Sequence, residues 1–232
     1  MHDRFSTNPA SYPRWVFDGY DFGKDADVLE VGCGEGVIWR KNVDRIPDGW
    51  RLTLTDFSDG MVQAARSALG DRARYAVADV QTLPFEDEAF DAVIANHMLF
   101  HVEDRPRAFS EVRRVLRPEG LFVATAIGRD HLRELWELEP PRDGIWSKTR
   151  ERFTIELARG ELAPFFAAIE LERYPDSLEV TDAEALVDVF RSRGDVAEER
   201  LAAIREHVAV AIDRDGSFHV TKDTARIRCR KP

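Results

Sequence analysis

The chain has 232 residues, 44% of them hydrophobic, which is enough for one substantial core and too apolar for a disordered chain. Its 43 acidic and 33 basic residues leave a net charge of -10, which repels a polyanionic partner such as nucleic acid. The two cysteines, Cys33 and Cys229, are too few for a disulfide scaffold or a Cys-rich zinc site.

The densest basic group, Arg113, Arg114 and Arg117, is diluted by Glu111 and Glu119. The longest apolar stretches, such as 121–127, fall far short of the roughly 20 residues a membrane helix needs. The opening MHDRFSTNPASYPRW has no apolar signal segment. The expected compartment is therefore a reducing cytoplasm, with no membrane partner.

Residues 27–31 form a short apolar run that ends in glycines, a strand. Residues 36–46 read as a helix stopped by Pro47-Asp48-Gly49. Residues 51–55 alternate and are rich in β-formers, a second strand. Ser58 is placed to cap a helix over 59–69, with Met61, Ala64, Ala65 and Leu69 on one face and Gly70 ending it. Residues 73–78 and 91–95 are the third and fourth strands. A helix over 105–116 points Phe109, Val112, Val115 and Leu116 inward and breaks at Pro118-Glu119-Gly120. Residues 121–126 are the fifth strand. This alternation predicts an α/β fold with a doubly wound, mostly parallel sheet covered on both faces.

The pattern changes after Gly128. Residues 129–168 hold Trp136, Trp146, the break Pro140-Pro141, and Phe165-Phe166, and read as a lid-like helical insertion. Residues 169–174 are a sixth strand. Thr181 is the expected cap of a helix over 182–193, followed by an amphipathic helix over 195–212. Residues 218–220 and 225–230 flank Thr221-Lys222-Asp223-Thr224 and read as a hairpin. Without repeats or linkers, 1–232 reads as a single domain. Its first 22 residues carry Tyr12, Trp15, Phe17 and Tyr20. They read as an N-terminal cap segment that either walls a pocket or packs on the sheet.

Chemistry first surfaces at Glu30-Val31-Gly32-Cys33-Gly34-Glu35-Gly36, between a strand and a helix. Glycines there allow a tight turn and close approach of a ligand. The spacing is G-x-G-x-G, which argues against a dinucleotide fingerprint. Asp56 ends the second strand, where a carboxylate can accept bonds from both hydroxyls of a ribose. Asp79, after the third strand, can accept from an exocyclic amine while Val80 packs beside the ring. Asn96-His97-Met98 ends the fourth strand. Polar groups thus stand along the sheet edge where open α/β sheets bind ligands.

This set resembles the class I S-adenosylmethionine-dependent methyltransferases, in the small-molecule branch that includes ubiquinone/menaquinone-type enzymes. The resemblance runs from about residue 25 to 127, including the stretch Arg114-Val115-Leu116-Arg117-Pro118-Glu119-Gly120-Leu121. Glu119 stands where the family usually has a second glycine. The resemblance implies a Rossmann-like seven-stranded sheet whose last strand is antiparallel, with 218–230 as its source. It implies S-adenosylmethionine as cofactor, with Gly32, Cys33 and Gly34 in the loop under its methionine part and Glu30 near the amino group. It places Asp56 on the ribose, Phe57 and Val80 against the adenine, Asp79 at the adenine amine, and Asn96 at the methionine amine.

Two histidines follow. The spacing of His97 and His101 could put both on one helical face, but no third metal ligand is evident, so no metal is expected. A neutral imidazole near the acceptor can take a proton from a hydroxyl or amine, which makes His101 and His97 the candidate catalytic residues; the alternative is packing or capping. Cys33 reads as a small buried residue.

The expected reaction is in-line transfer of a methyl group to an O or N nucleophile of a small-molecule acceptor. The run after the fourth strand lacks the Asn/Asp-Pro-Pro-aromatic grip of base-methylating enzymes, which agrees with the acidic charge. Two alternatives stay open: a protein that binds the cofactor without transferring methyl, and a nicotinamide-dependent oxidoreductase. The residues carry no signal for oligomeric state.

Overall fold

The structure, a computed structural model, describes residues 1–140 and 152–232. Pro141 and Trp146 lie outside the described residues. In chain order the helices are α1 (His2–Phe5), α2 (Tyr12–Asp18), α3 (Val37–Arg40), α4 (Asp59–Leu69), α5 (Arg105–Val115), α6 (Arg133–Leu138), α7 (Ile155–Leu162), α8 (Ala183–Arg193) and α9 (Glu198–Asp215). The strands are β1 (Asp27–Val31), β2 (Arg51–Asp56), β3 (Ala73–Val77), β4 (Phe90–Asn96), β5 (Leu116–Ile127), β6 (Ala167–Arg173), β7 (Ser177–Val180), β8 (Phe218–Thr221) and β9 (Thr224–Arg230).

Seven strands form one sheet in the order β3-β2-β1-β4-β5-β9-β6. β9 runs antiparallel between β5 and β6, so the last strand is the reversed one, as the resemblance implied. The chain switches direction across the sheet between β1 and β4, and ligands bind at such a point beyond the strand ends.

Alternation along the central strands assigns side chains to two cores. Leu29, Val31, Val93, Ala95, Phe122 and Ala124 join the core under α5 and α7. Val28, Leu52, Leu54, Ala92, Ile94 and Val123 join the core under α2, α3 and α4. Glu30 and Asn96 share the parity of this second set, so their side chains run beneath α2 and α3.

A third core lies apart from the sheet. It gathers Phe5, Leu135, Leu178, Leu186, Phe190, Leu201, Ile204 and Val220 from α1, α6, β7, α8, α9 and β8. The described part of 129–168 is thereby divided. Leu135 packs in this third core, whereas Phe153, Ile155, Ala158, Leu162 and Phe166 pack against the sheet.

Several expected elements are corrected. The helix over 36–46 shortens to α3 and a 3-10 turn at Val43–Arg45. Buried Asn42 donates its side-chain amide to the carbonyls of Ile38 and Pro13, at 2.8 and 3.0 Å, which ties the chain down at that point. The hairpin over 218–230 does not form: β8 pairs with β7 in a separate two-stranded sheet, while β9 enters the main sheet. The turn between them carries the chain from one sheet to the other, a choice of partner no local pattern encodes. Ser58 does cap α4, but Val62 rather than Met61 joins its buried face. Asp182, not Thr181, caps α8, accepting from Glu184 N–H at 3.1 Å.

Candidate active site

The ends of β1 to β4 open on a cleft of about 1000 Å³. Its lining includes every residue singled out from the sequence: Glu30, Gly32, Cys33, Gly34, Asp56, Phe57, Asp79, Val80, Asn96, His97 and His101. Tyr12 and Pro13 of α2 complete a wall.

The loop after β1 is built by glycines with positive φ. Gly32 is at φ +66°, and a Cβ there would lie 2.7 Å from Met98 Cβ. Gly34 is at φ +53°, and a Cβ there would meet nothing within 4 Å. The first glycine therefore lets β4's end pack against the loop, and the second leaves room at the cleft floor.

Asp56 fastens this loop to β2. Its Oδ2 accepts from Gly34 N–H and its Oδ1 from Ser58 N–H, both at 2.9 Å. Each carboxylate oxygen keeps a second lone pair, so the group still accepts from a pair of hydroxyls. Phe57 is 77% exposed, and Val37 and Met61 are also exposed, leaving apolar surface at the rim for a flat ring.

Asp79 is held by a residue that sequence reasoning missed. Gln81 donates its backbone N–H to Asp79 Oδ1 at 2.8 Å and its side-chain amide to both carboxylate oxygens at 3.1 Å. The only signal available was its position two residues after an aspartate, the spacing of an Asx turn.

Glu30 is buried, and both its oxygens are engaged. Trp39 Nε1–H donates to Oε2 at 2.5 Å and Asn96 Nδ2–H to Oε1 at 2.7 Å, while Asn96 also donates to Tyr20 OH at 2.8 Å. Burial pushes the carboxyl up to about 7 against the pull of those two bonds, and the nearby Asp56 charge adds to the rise. Glu30 lines the cleft together with Asn96, to which it is bonded. Trp39 was not anticipated, because nothing local marks a tryptophan on α3 as the partner of a strand carboxylate.

His97 and His101 do not share a helical face. His97 is at φ +47° directly after β4, and His101 ends a separate 3-10 turn, Leu99–His101. The Tyr12 hydroxyl lies 2.6 Å from His97 Nε2 in a hydrogen bond, and the His97 backbone N–H donates to Thr125 Oγ1 at 3.0 Å. Burial, with Lys222 adding to it, holds the imidazole down to about 4, so it is neutral at physiological pH. His101 is exposed, and its ring lies 4.3 Å from that of Phe100. Partial burial and Arg152 lower its affinity for a proton, with Asp56 opposing them. Cys33 is buried, and burial with the Glu30 and Asp56 charges raises its thiol, which opposes thiolate formation.

Among the described residues, no helix is long and apolar enough to cross a membrane.

Residues 29–124 match a family described as a methyltransferase domain. The chain is 33% identical over 166 residues to malonyl-[acyl-carrier protein] O-methyltransferase of Geobacter sulfurreducens, across 65% of this chain and 61% of that one. It is 34% identical over 117 residues to the mitochondrial arginine-hydroxylase NDUFAF5 of Mus musculus, across 50% of this chain and 33% of that one. The chain therefore spans less than two thirds of the length of these curated relatives. In fold it is similar to a Bacillus halodurans protein described provisionally as a methyltransferase, with a TM-score of 0.67 and 14% identity over 95% of this chain and 99% of that one. From β1 through β5 the chain matches a methyltransferase domain, and its sheet, with β9 reversed between β5 and β6, has the fold of the class I S-adenosylmethionine-dependent methyltransferases.

Proposed function

We propose that the chain binds S-adenosylmethionine across the ends of β1 to β4 and transfers its methyl group to an oxygen or nitrogen nucleophile of a small molecule. The observation that carries this reading is the convergence of Gly34, Asp56, Phe57, Asp79 and Asn96 on one cleft. The room left at Gly34 fits the methionine part. The free lone pairs of Asp56 fit ribose hydroxyls, and exposed Phe57, with Val80 opposite, fits the adenine. Asp79, steadied by Gln81, accepts from the adenine amine. The Asn96 carbonyl accepts from the methionine amine, with Glu30 behind it.

When bound, the cofactor supplies a methyl carbon on a sulfonium, open to attack in line with the leaving sulfur. The protein's work is alignment and exclusion of water. Tyr12, Pro13, His97, Met98 and Val102 wall the side of the cleft left for the acceptor. Where the nucleophile is a hydroxyl, exposed His101 takes its proton; a neutral amine needs no base.

The test is transfer of isotope-labelled methyl from S-adenosylmethionine to a panel of small oxygen and nitrogen nucleophiles. Labelled product from any member, abolished in the Asp56→Ala variant, supports the reading. The likeness to an arginine-hydroxylase favours a second reading, in which the cofactor is bound without methyl transfer. Cofactor binding together with a product that gains oxygen and no methyl would favour it.

A further inference from the structure

Tyr12 and His97 are fixed from opposite sides. His97 is held in a left-handed backbone conformation by Thr125, and non-glycine residues in that region persist where the surroundings over-determine them. Tyr12 follows a strap at residues 6–10. Ser6 Oγ and the N–H groups of Thr7 and Asn8 donate to Asp176 Oδ1 at 2.7, 3.1 and 3.1 Å. Asp176 Oδ2 lies 3.1 Å from Lys222 Nζ in an enclosed pair. The Tyr174 hydroxyl donates to Ala10 O, and its ring meets Tyr12 edge-on at 5.4 Å.

The hydrogen bond between Tyr12 and His97 has a direction. Burial raises the Tyr12 phenol and depresses the His97 imidazole, so both are neutral. The Lys222 charge disfavours an imidazolium further. Of two neutral partners the phenol is the better donor and the bare imidazole nitrogen the better acceptor. Tyr12 O–H therefore donates to Nε2, and the remaining ring proton sits on Nδ1. Among the described residues, no group takes up Nδ1, and His97 lines the cleft.

We propose that Tyr12 is a positioning residue that locks His97 in the Nδ1–H tautomer, and that this N–H donates to an acceptor that arrives as an oxygen anion, a carboxylate being the simplest. The inference rests on the methyl-transfer reading above. With an oxygen anion as nucleophile, the O–C bond forms as the C–S bond breaks, and the electron pair of that bond stays on sulfur. The product oxygen is neutral and no proton changes hands, so His97 never has to accept one. Its low basicity suits this role and unsuits it to removing a proton from an alcohol.

The test uses the full chain with ¹⁵N-labelled histidine, the His97 signals being assigned with the His97→Gln variant. At about neutral pH the expected state is Nδ1 protonated and Nε2 bare. Tyr12→Phe should release that preference. Acetate, used as the probe anion, should shift the Nδ1–H signal of the wild type and move it about threefold less in Tyr12→Phe. An Nε2–H tautomer in the wild type, or an unchanged tautomer in Tyr12→Phe, would overturn the positioning role. A signal unmoved by about 0.1 M acetate would overturn the anion site. The tautomer is read in the chain alone, so failure to bind S-adenosylhomocysteine would count against the cofactor reading and not against this assignment.

Discussion

The Trp39 indole donates to Glu30 Oε2 at 2.5 Å beneath the floor of the cleft, tying α3 to β1 through a buried carboxylate. Asn96 donates to the other oxygen, so β4 is tied to the same group. Glu30 and Asn96 both line the cleft, while the rings of Trp39 and Tyr20 lie against each other at 5.8 Å behind them.

The rise of Glu30 to about 7 from an ordinary 4.5 sets the sign of a pH effect. The folded chain holds this proton more tightly than the unfolded chain. The stability it contributes is complete below about pH 4.5 and is lost as pH rises through about 7. Glu30→Gln keeps an acceptor for Trp39 and offers a donor to Asn96 once that amide turns over. At about pH 8 the variant should therefore be more stable than wild type by about 2 kcal/mol, with the gap closing toward about pH 5. Thermal melts across that range decide the matter, and a gap that does not vary with pH would contradict the assignment.

Glu119 is exposed and sits at φ +62° in the excursion between Leu116 and Leu121, where β5 breaks register with β4. A side chain in that conformation costs about 1 kcal/mol. Its carbonyl, which accepts from Arg230, is a backbone group and survives substitution. Glu119→Gly should leave activity alone and stabilise by about 0.5–1 kcal/mol, read as a rise in melting temperature. A fall would show that the glutamate side chain makes a compensating contact.

Removing Asp176 leaves the Lys222 ammonium enclosed without its counter-charge and frees the strap at residues 6–8. Asp176→Ala should destabilise by about 3 kcal/mol. It should also make the chain before Tyr12 the first site of limited proteolysis. Wild-type stability with an intact N-terminus after digestion would refute the clasp.

Phe57 separates binding from folding. Because it is 77% exposed, Phe57→Ala should change stability by no more than about 0.5 kcal/mol. Loss of its ring surface should weaken S-adenosylhomocysteine binding about tenfold in calorimetry. Unchanged affinity would remove Phe57 from the adenine site.

The sheet and its cleft were legible because the signals were local. Alternation in β1, β4 and β5 and the turn residues between elements set the strands, and Asp56, Asp79 and Asn96 stand at strand ends, where topology alone brings them together. What escaped depended on partners distant in sequence. Residues 218–230 have the pattern of a hairpin, yet β8 finds β7 about 40 residues back and β9 finds β5 about 100 residues back. Trp39 against Glu30, Tyr12 against His97, and Asp176 beneath the N-terminal strap are contacts between elements, and no spacing announces them. The aromatic residues of 129–168 gave composition without direction, so packing of Phe153 and Phe166 on the sheet could not be told from a lid.

Calorimetric titration of S-adenosylhomocysteine into wild type and Asp56→Ala reads cofactor binding at the ends of β1 to β4. Asp56 ties Gly34 to the end of β2 and offers lone pairs to the ribose, so wild type should bind at about micromolar Kd and the variant at least about a hundredfold more weakly. Absence of binding to the folded wild type, or equal affinity in the variant, would contradict the account.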